Sequence, residues 1–122
     1  MNIIPVLACK DMAKSIRFYL EILDFELVGT WPEMSSPAFS ILHRGGAELH
    51  LSTYPGDGVL GSVVAIVVND IENLFRLYVS RGLVPIKNDS PVHLGPTQQT
   101  WGTTEFYVDD PSGNTLRFIQ RS

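Results

Sequence analysis

The chain states one pattern twice. Asp11-Met12, Arg17 and Tyr19 return as Asp70-Ile71, Arg76 and Tyr78, each 59 residues later. Gly46-Ala47-Glu48-Leu49-His50-Leu51 returns as Gly113-Asn114-Thr115-Leu116-Arg117-Phe118, 67 residues later. A repeat of this kind constrains the fold strongly, because each copy must reuse the same element order and bury the same faces. Two such units are expected to face each other around a shared cleft, and function is expected there.

Residues 3–8 read as a short buried strand, after which Asp11 offers a side-chain oxygen to the first free N–H groups of a helix. Met12, Ile16, Tyr19, Leu20 and Leu23 fall on one helical face. Asp24 sits where a left-handed residue ends the helix. A strand over 25–31 is closed by Pro32, which opens a loop through Ser36. Residues 39–42 and 47–52 then form a hairpin around Arg44-Gly45-Gly46. After a Gly- and Pro-rich bridge over 54–61, the second copy runs through a strand at 63–68. Its helix is capped by Asp70, turns Ile71, Leu74, Phe75 and Tyr78 inward, and stops at Gly82. A short strand is predicted at 83–86 and a mobile flap at 87–102. The last hairpin spans 103–109 and 115–120, turned at Pro111-Ser112-Gly113. The order is βαβββ twice: an α+β fold in one domain over 1–122, with modules at about 1–54 and 62–122.

Composition excludes several classes. A formal net charge of −4 is wrong for a partner held by its phosphate backbone. No apolar run approaches the ~20 residues of a membrane span, and the start of the chain lacks the pattern of a signal peptide. One cysteine, Cys9, cannot form an internal disulfide, so a reducing cytoplasmic setting is expected. Its place at a strand end reads as a small buried hydrophobe.

This layout resembles the vicinal oxygen chelate superfamily, which includes glyoxalase, extradiol dioxygenases, fosfomycin resistance enzymes and bleomycin resistance proteins. The markers are Ile4-Pro5-Val6-Leu7 leading to Asp11, Phe18-Tyr19, Leu23-Asp24-Phe25 and residues 45–51. The terminal block from Trp101-Gly102 through Asp109-Asp110-Pro111-Ser112-Gly113-Asn114 is most similar to the bleomycin resistance branch. Metal-dependent members of the superfamily place ligands on four inward strand positions. By the resemblance these are Ile4, His50, Val63 and Arg117. Two hydrocarbons offer no lone pair, and a guanidinium is not a practical ligand. His50 alone is too few, since zinc takes about three protein ligands even at an open catalytic site. No metal or cofactor is therefore expected.

Strand alternation, anchored on those positions, gives the lining. Glu48, His50 and Ser52 face inward with Phe39 and Ile41. By the resemblance, Thr103, Glu105, Tyr107 and Asp109 face the cleft, as do Thr115, Arg117 and Ile119. Trp31 and Trp101 stand beside its mouth. The candidate ligand-binding residues are Trp31, Phe39, Glu48, His50, Ser52, Trp101, Glu105, Tyr107 and Arg117. Aromatic faces suit a planar ligand and the carboxylates a cationic one. Each residue also has a structural reading: Phe39 and Tyr107 as core aromatics, Trp31 at an interface, His50 as a hydrogen-bonded core histidine. Glu105 and Arg117 can simply neutralise one another across adjacent strands. Tyr19 and Tyr78 are read as structural.

The resemblance implies a homodimer that binds and sequesters a flat, positively charged antibiotic of the bleomycin type without altering it. A different planar antibiotic or a toxic metabolite fits the same physics. The alternative activity is a metal-independent lyase or isomerase with His50 as general base and Glu105 or Tyr107 as acid. A metalloenzyme using His50 and ligands from a second subunit is a more distant reading.

Overall fold

The computed structural model describes residues 1–122. The elements run β1 (Val6–Ala8), α1 (Met12–Arg17), β2 (Glu26–Trp31), β3 (Phe39–Arg44), β4 (Ala47–Ser52) and β5 (Val63–Val67). They continue with α2 (Ile71–Ser80), α3 (Pro91–Leu94), β6 (Thr97–Gln98), β7 (Thr103–Asp109) and β8 (Thr115–Arg121). The chain divides into two units, Met1–Ser62 with Asp110–Asn114, and Val63–Asp109 with Thr115–Ser122. No helix is long and apolar enough to cross a membrane.

The duplication holds at the level of hydrogen-bond register. One sheet has strand order β1-β4-β3-β2 and the other β5-β8-β7-β6. In the first, β1 pairs in parallel with β4, placing Val6 opposite His50. In the second, β5 pairs in parallel with β8, placing Ala65 opposite Arg117. His50 and Arg117 are therefore equivalent positions of the two units.

In the first unit, Asp11 caps α1 by accepting from the Lys14 N–H at 3.0 Å, as its sequence position predicts. The helix continues as a π-helical turn over Phe18–Ile22. Met12, Ile16, Tyr19 and Leu23 bury one face, against a sheet face that buries Leu42, Leu49 and Leu51. Asp24 takes the left-handed conformation, φ 61°. The Tyr19 hydroxyl donates to Asp110 Oδ2 at 2.8 Å. Asp110 also accepts from the backbone N–H groups of Ser112 and Asn114. Asn114 Nδ2 donates to the Ala8 carbonyl, and its Oδ1 accepts from the Ser62 N–H. These bonds make residues 110–114 part of the first unit rather than a bare hairpin turn. Cys9 is buried and unpaired.

In the second unit, Ile71, Leu74 and Tyr78 are the buried face of α2. Phe106 and Phe118 stack at 4.9 Å between ring centroids, and Tyr78 meets Phe118 edge-on at 5.4 Å. Asp70 departs from its predicted role. It lies at φ 52° and makes no side-chain cap; Gln120 Oε1 accepts the Ile71 N–H instead, at 2.7 Å.

Two further expectations are corrected. The first strand begins at Val6 rather than Ile3, because Pro5 has no N–H to extend the ladder. Residues 83–86 form no strand: Pro85 lacks a donor, and β6 already occupies the edge of β7 through Thr97 opposite Glu105. The predicted flap thus contains α3 and β6, and side-chain bonds fasten it to the end of β7. His93 Nε2 donates to Asp109 Oδ1 at 2.9 Å, Lys87 Nζ lies 3.0 Å from Asp109 Oδ2, and Ser90 Oγ lies 2.7 Å from His93 Nδ1.

Candidate functional site

The face of the first sheet opposite its helix is organised in three rows by strand register. Glu26, His43 and Glu48 make a polar row. Gly29, Ile41, His50 and Val6 make the next. Trp31, Phe39, Ser52 and Ala8 make the third. Trp31 and Phe39 lie 5.5 Å apart between ring centroids, and Phe39 and His50 6.1 Å. Trp31 is 43% exposed and its indole lies back across Gly29. A Cβ on Gly29 would stand 2.6 Å from Trp31 Cη2, so the indole needs this glycine beneath it.

Glu48 binds both imidazoles of its face. His50 Nε2 donates to its Oε2 at 2.7 Å and His43 Nε2 to its Oε1 at 3.1 Å. Those bonds, from His50 first and then His43, hold its carboxyl below the usual glutamate range. Ser52 shares the aromatic row, but its side chain is buried, donating to Asp57 Oδ2 and accepting from the Tyr54 N–H. It anchors the following loop and offers no surface. An open cavity of about 450 Å³, lined by Asp24, Glu26, His43, Arg44, Gly45 and Gly46, lies at the hairpin end of this sheet.

The second unit holds a different arrangement, centred on Glu105. This carboxylate is 1% exposed and accepts from four side chains. Trp101 Nε1 and Thr103 Oγ1 donate to Oε2, and Arg117 Nη2 and Tyr107 Oη to Oε1, the Trp101 and Arg117 bonds measuring 3.0 and 2.9 Å. Burial drives its carboxyl upward, but the bonds from Thr103, Arg117 and Trp101 outweigh burial and keep it below the usual range. The Arg117 guanidinium lies 5.0 Å from the Tyr107 ring centroid, and the His93 ring meets Tyr107 edge-on at 5.6 Å. Trp101 stays 63% exposed although its ring nitrogen is fixed.

This geometry revises the sequence expectations in defined ways. Trp31, Phe39, Glu48 and His50 share one face of the first unit; Trp101, Glu105, Tyr107 and Arg117 form one network in the second. Glu105 is enclosed by donors, not open to a ligand cation, and the cross-strand pairing with Arg117 is the arrangement found. An ionised, four-fold hydrogen-bonded carboxylate has no proton to give, so it cannot serve as the general acid of a lyase. His43, Gly29 and His93 were not among the candidates. Alternation from Phe39 through Ile41 leads directly to His43. His93 had no comparable signal, because nothing in residues 87–102 shows which part meets β7.

The four positions that resemblance offers to a metal do not fit one. Ile4 and Val63 carry no donor, Arg117 is engaged with Glu105, and the Nε2 of His50 is engaged with Glu48. No three His, Cys, Asp or Glu side chains are grouped to hold an ion.

The model of the glyoxalase/bleomycin resistance protein/dioxygenase superfamily matches residues 4–118, nearly the whole chain. The chain belongs to that superfamily. A bleomycin resistance protein of Klebsiella pneumoniae is 30% identical over 118 residues, 95% of this chain and 89% of that one. The bleomycin resistance determinant encoded on transposon Tn5 superposes with a TM-score of 0.79 at 26% identity, covering 100% of this chain and 98% of the other. A bleomycin-binding protein solved in complex with bleomycin gives 0.77 at 27% identity, covering 100% and 99%. Within the superfamily, then, the resemblance to the bleomycin resistance branch that the terminal block carries is matched in both sequence and fold.

Proposed function

We propose that this chain binds and sequesters a bleomycin-type antibiotic without altering it, and so confers resistance. The observation that carries the reading is the fixed presentation of exposed aromatic surface. Trp101 is held by a bond to a buried carboxylate, and Trp31 is seated over a glycine and against Phe39. Most of an exposed indole's entropy cost on binding is removed when its orientation is already set. Each stacked ring then contributes on the order of 1 kcal/mol beyond area burial. The likeness to a bleomycin-bound protein at 27% identity over the full length supports the same ligand here.

In this reading Trp31, Phe39, Trp101 and Tyr107 supply flat faces, and His50 supplies a polar edge. Glu48, partly exposed, meets the cationic part of the ligand, while Glu105 and Ser52 act through the groups they hold. The protein acts as a cytoplasmic homodimer; the exposed Val63 and Val67 of β5 are apolar surface for a second copy to cover. A native mass spectrum gives the subunit number, two being expected and one excluding the dimer.

The test of function is expression in bleomycin-sensitive cells beside equilibrium dialysis of the pure protein. Protection, with the antibiotic recovered chemically unchanged after denaturing the protein, is the expected result. Sensitivity unchanged from the empty vector, or a modified antibiotic, rejects the reading.

A further inference from the structure

His50 presents one ring nitrogen that the protein leaves open. Its Nε2 is spent on Glu48 Oε2 at 2.7 Å. A carboxylate has acceptors only, so that nitrogen carries the proton. In a neutral imidazole the other nitrogen, Nδ1, is then a bare acceptor. No protein group bonds His50 Nδ1, and the ring is neither enclosed nor fully exposed, at 22% of its side-chain surface. The second oxygen of Glu48 binds His43 Nε2 at 3.1 Å, so the carboxylate is held toward His50 by a bond on each oxygen. Beside His50 stands Phe39, and beyond it Trp31, in neighbouring rows of one face.

We propose that His50 Nδ1 is an acceptor subsite for an N–H or O–H on the edge of a ring system stacked on Phe39 and Trp31. Glu48 is the positioning residue that fixes this polarity by keeping the proton on Nε2. The subsite selects a flat heteroaromatic ligand carrying an amine, amide or hydroxyl donor at its rim. A flat ligand that offers only acceptors there leaves two lone pairs opposed and is rejected. The assignment rests on the ligand-binding reading above and sharpens it, since stacking alone accepts any planar ring.

Two measurements on the full chain test it, at a pH where both imidazoles are neutral. Long-range proton–nitrogen spectra of the ligand-free wild type are expected to show His50 protonated at Nε2 and bare at Nδ1. Glu48→Gln offers a donor as well as an acceptor, and is expected to mix the two tautomers. Addition of metal-free bleomycin is expected to move the Nδ1 resonance of the wild type. His50→Phe keeps a ring beside Phe39 but has no lone pair, and is expected to weaken binding about tenfold while tryptophan quenching persists at saturation. A wild type that binds while Nδ1 carries the proton or does not shift, or a His50→Phe protein of unchanged affinity, overturns this inference and leaves the ligand reading standing. A wild type that does not bind bleomycin overturns both. The spectra of the wild type decide the tautomer even if a variant fails to fold.

Discussion

At the scale of single residues, two positions work by fixing other side chains. Gly29 leaves room for the Trp31 indole, and Gly29→Ala must rotate it away. The expected outcome is a changed near-ultraviolet circular dichroism signal from tryptophan and bleomycin affinity lower by about tenfold, the loss of roughly one stacking contact. An unchanged signal would mean that the indole is not held there. Glu105 is the acceptor for four donors in the second unit. Glu105→Gln keeps the shape, but its amide nitrogen cannot accept, so one pair of donors loses its acceptor and the other pair loses the charge. Denaturant unfolding is expected to show about 2–3 kcal/mol less stability, with Trp101 emission shifted as its nitrogen is released. The sequence showed that Glu105 and Arg117 share a face but not that Thr103 and Trp101 would close over the carboxylate. Alternation gives direction along a strand; it does not say how many neighbours converge on one atom.

At the scale of elements, the repeated Asp positions separate what a motif can and cannot tell. Asp11 and Asp70 stand at equivalent places, and the sequence reads both as helix caps. Only Asp11 caps with its side chain; at α2 the first N–H goes to Gln120, on a strand 49 residues away in sequence. Gln120→Ala is therefore expected to cost about 1 kcal/mol, in the range of a lost cap, and Asp70→Asn less than about 0.5 kcal/mol. The reverse ranking in thermal unfolding would contradict the assignment. The turn at 110–114 is a stronger case. Asp110→Ala strips acceptors from Tyr19, Ser112 and Asn114 together, and a loss of about 3 kcal/mol or more is expected. The hairpins and helices were legible because their periodicity and turn residues are local. The two-residue β6 was not, because Thr97 and Gln98 form a strand only by meeting the free edge of β7.

At the scale of the whole molecule, the duplication itself was readable, down to the equivalence of His50 and Arg117, although the third strand of the second copy lies at 97–98 and not at 83–86. The hydrogen-bonded carboxylates of the two units make stability acid-sensitive. Burial raises the Asp109 carboxyl, but bonds from His93, Lys87 and Thr115 outweigh it and hold the group below its ordinary 3.8. Glu105 and Glu48 are likewise held below their ordinary 4.5. Each group is more acidic folded than unfolded, so its stabilising contribution is present above the ordinary value and fades as pH falls from there through the folded value. Unfolding free energy is therefore expected to fall steadily as the pH drops below about 4.5. Stability that stays constant down through the carboxylate range would contradict these networks.

We propose that fixed aromatic faces, without a metal or a chemical step, hold the antibiotic. The decisive measurement is a titration of the wild-type protein with metal-free and with copper-loaded bleomycin while following tryptophan emission. A saturable change with at least one form is predicted, diminished in Trp31→Leu and in Trp101→Leu. No change with either form at high micromolar concentration would contradict it.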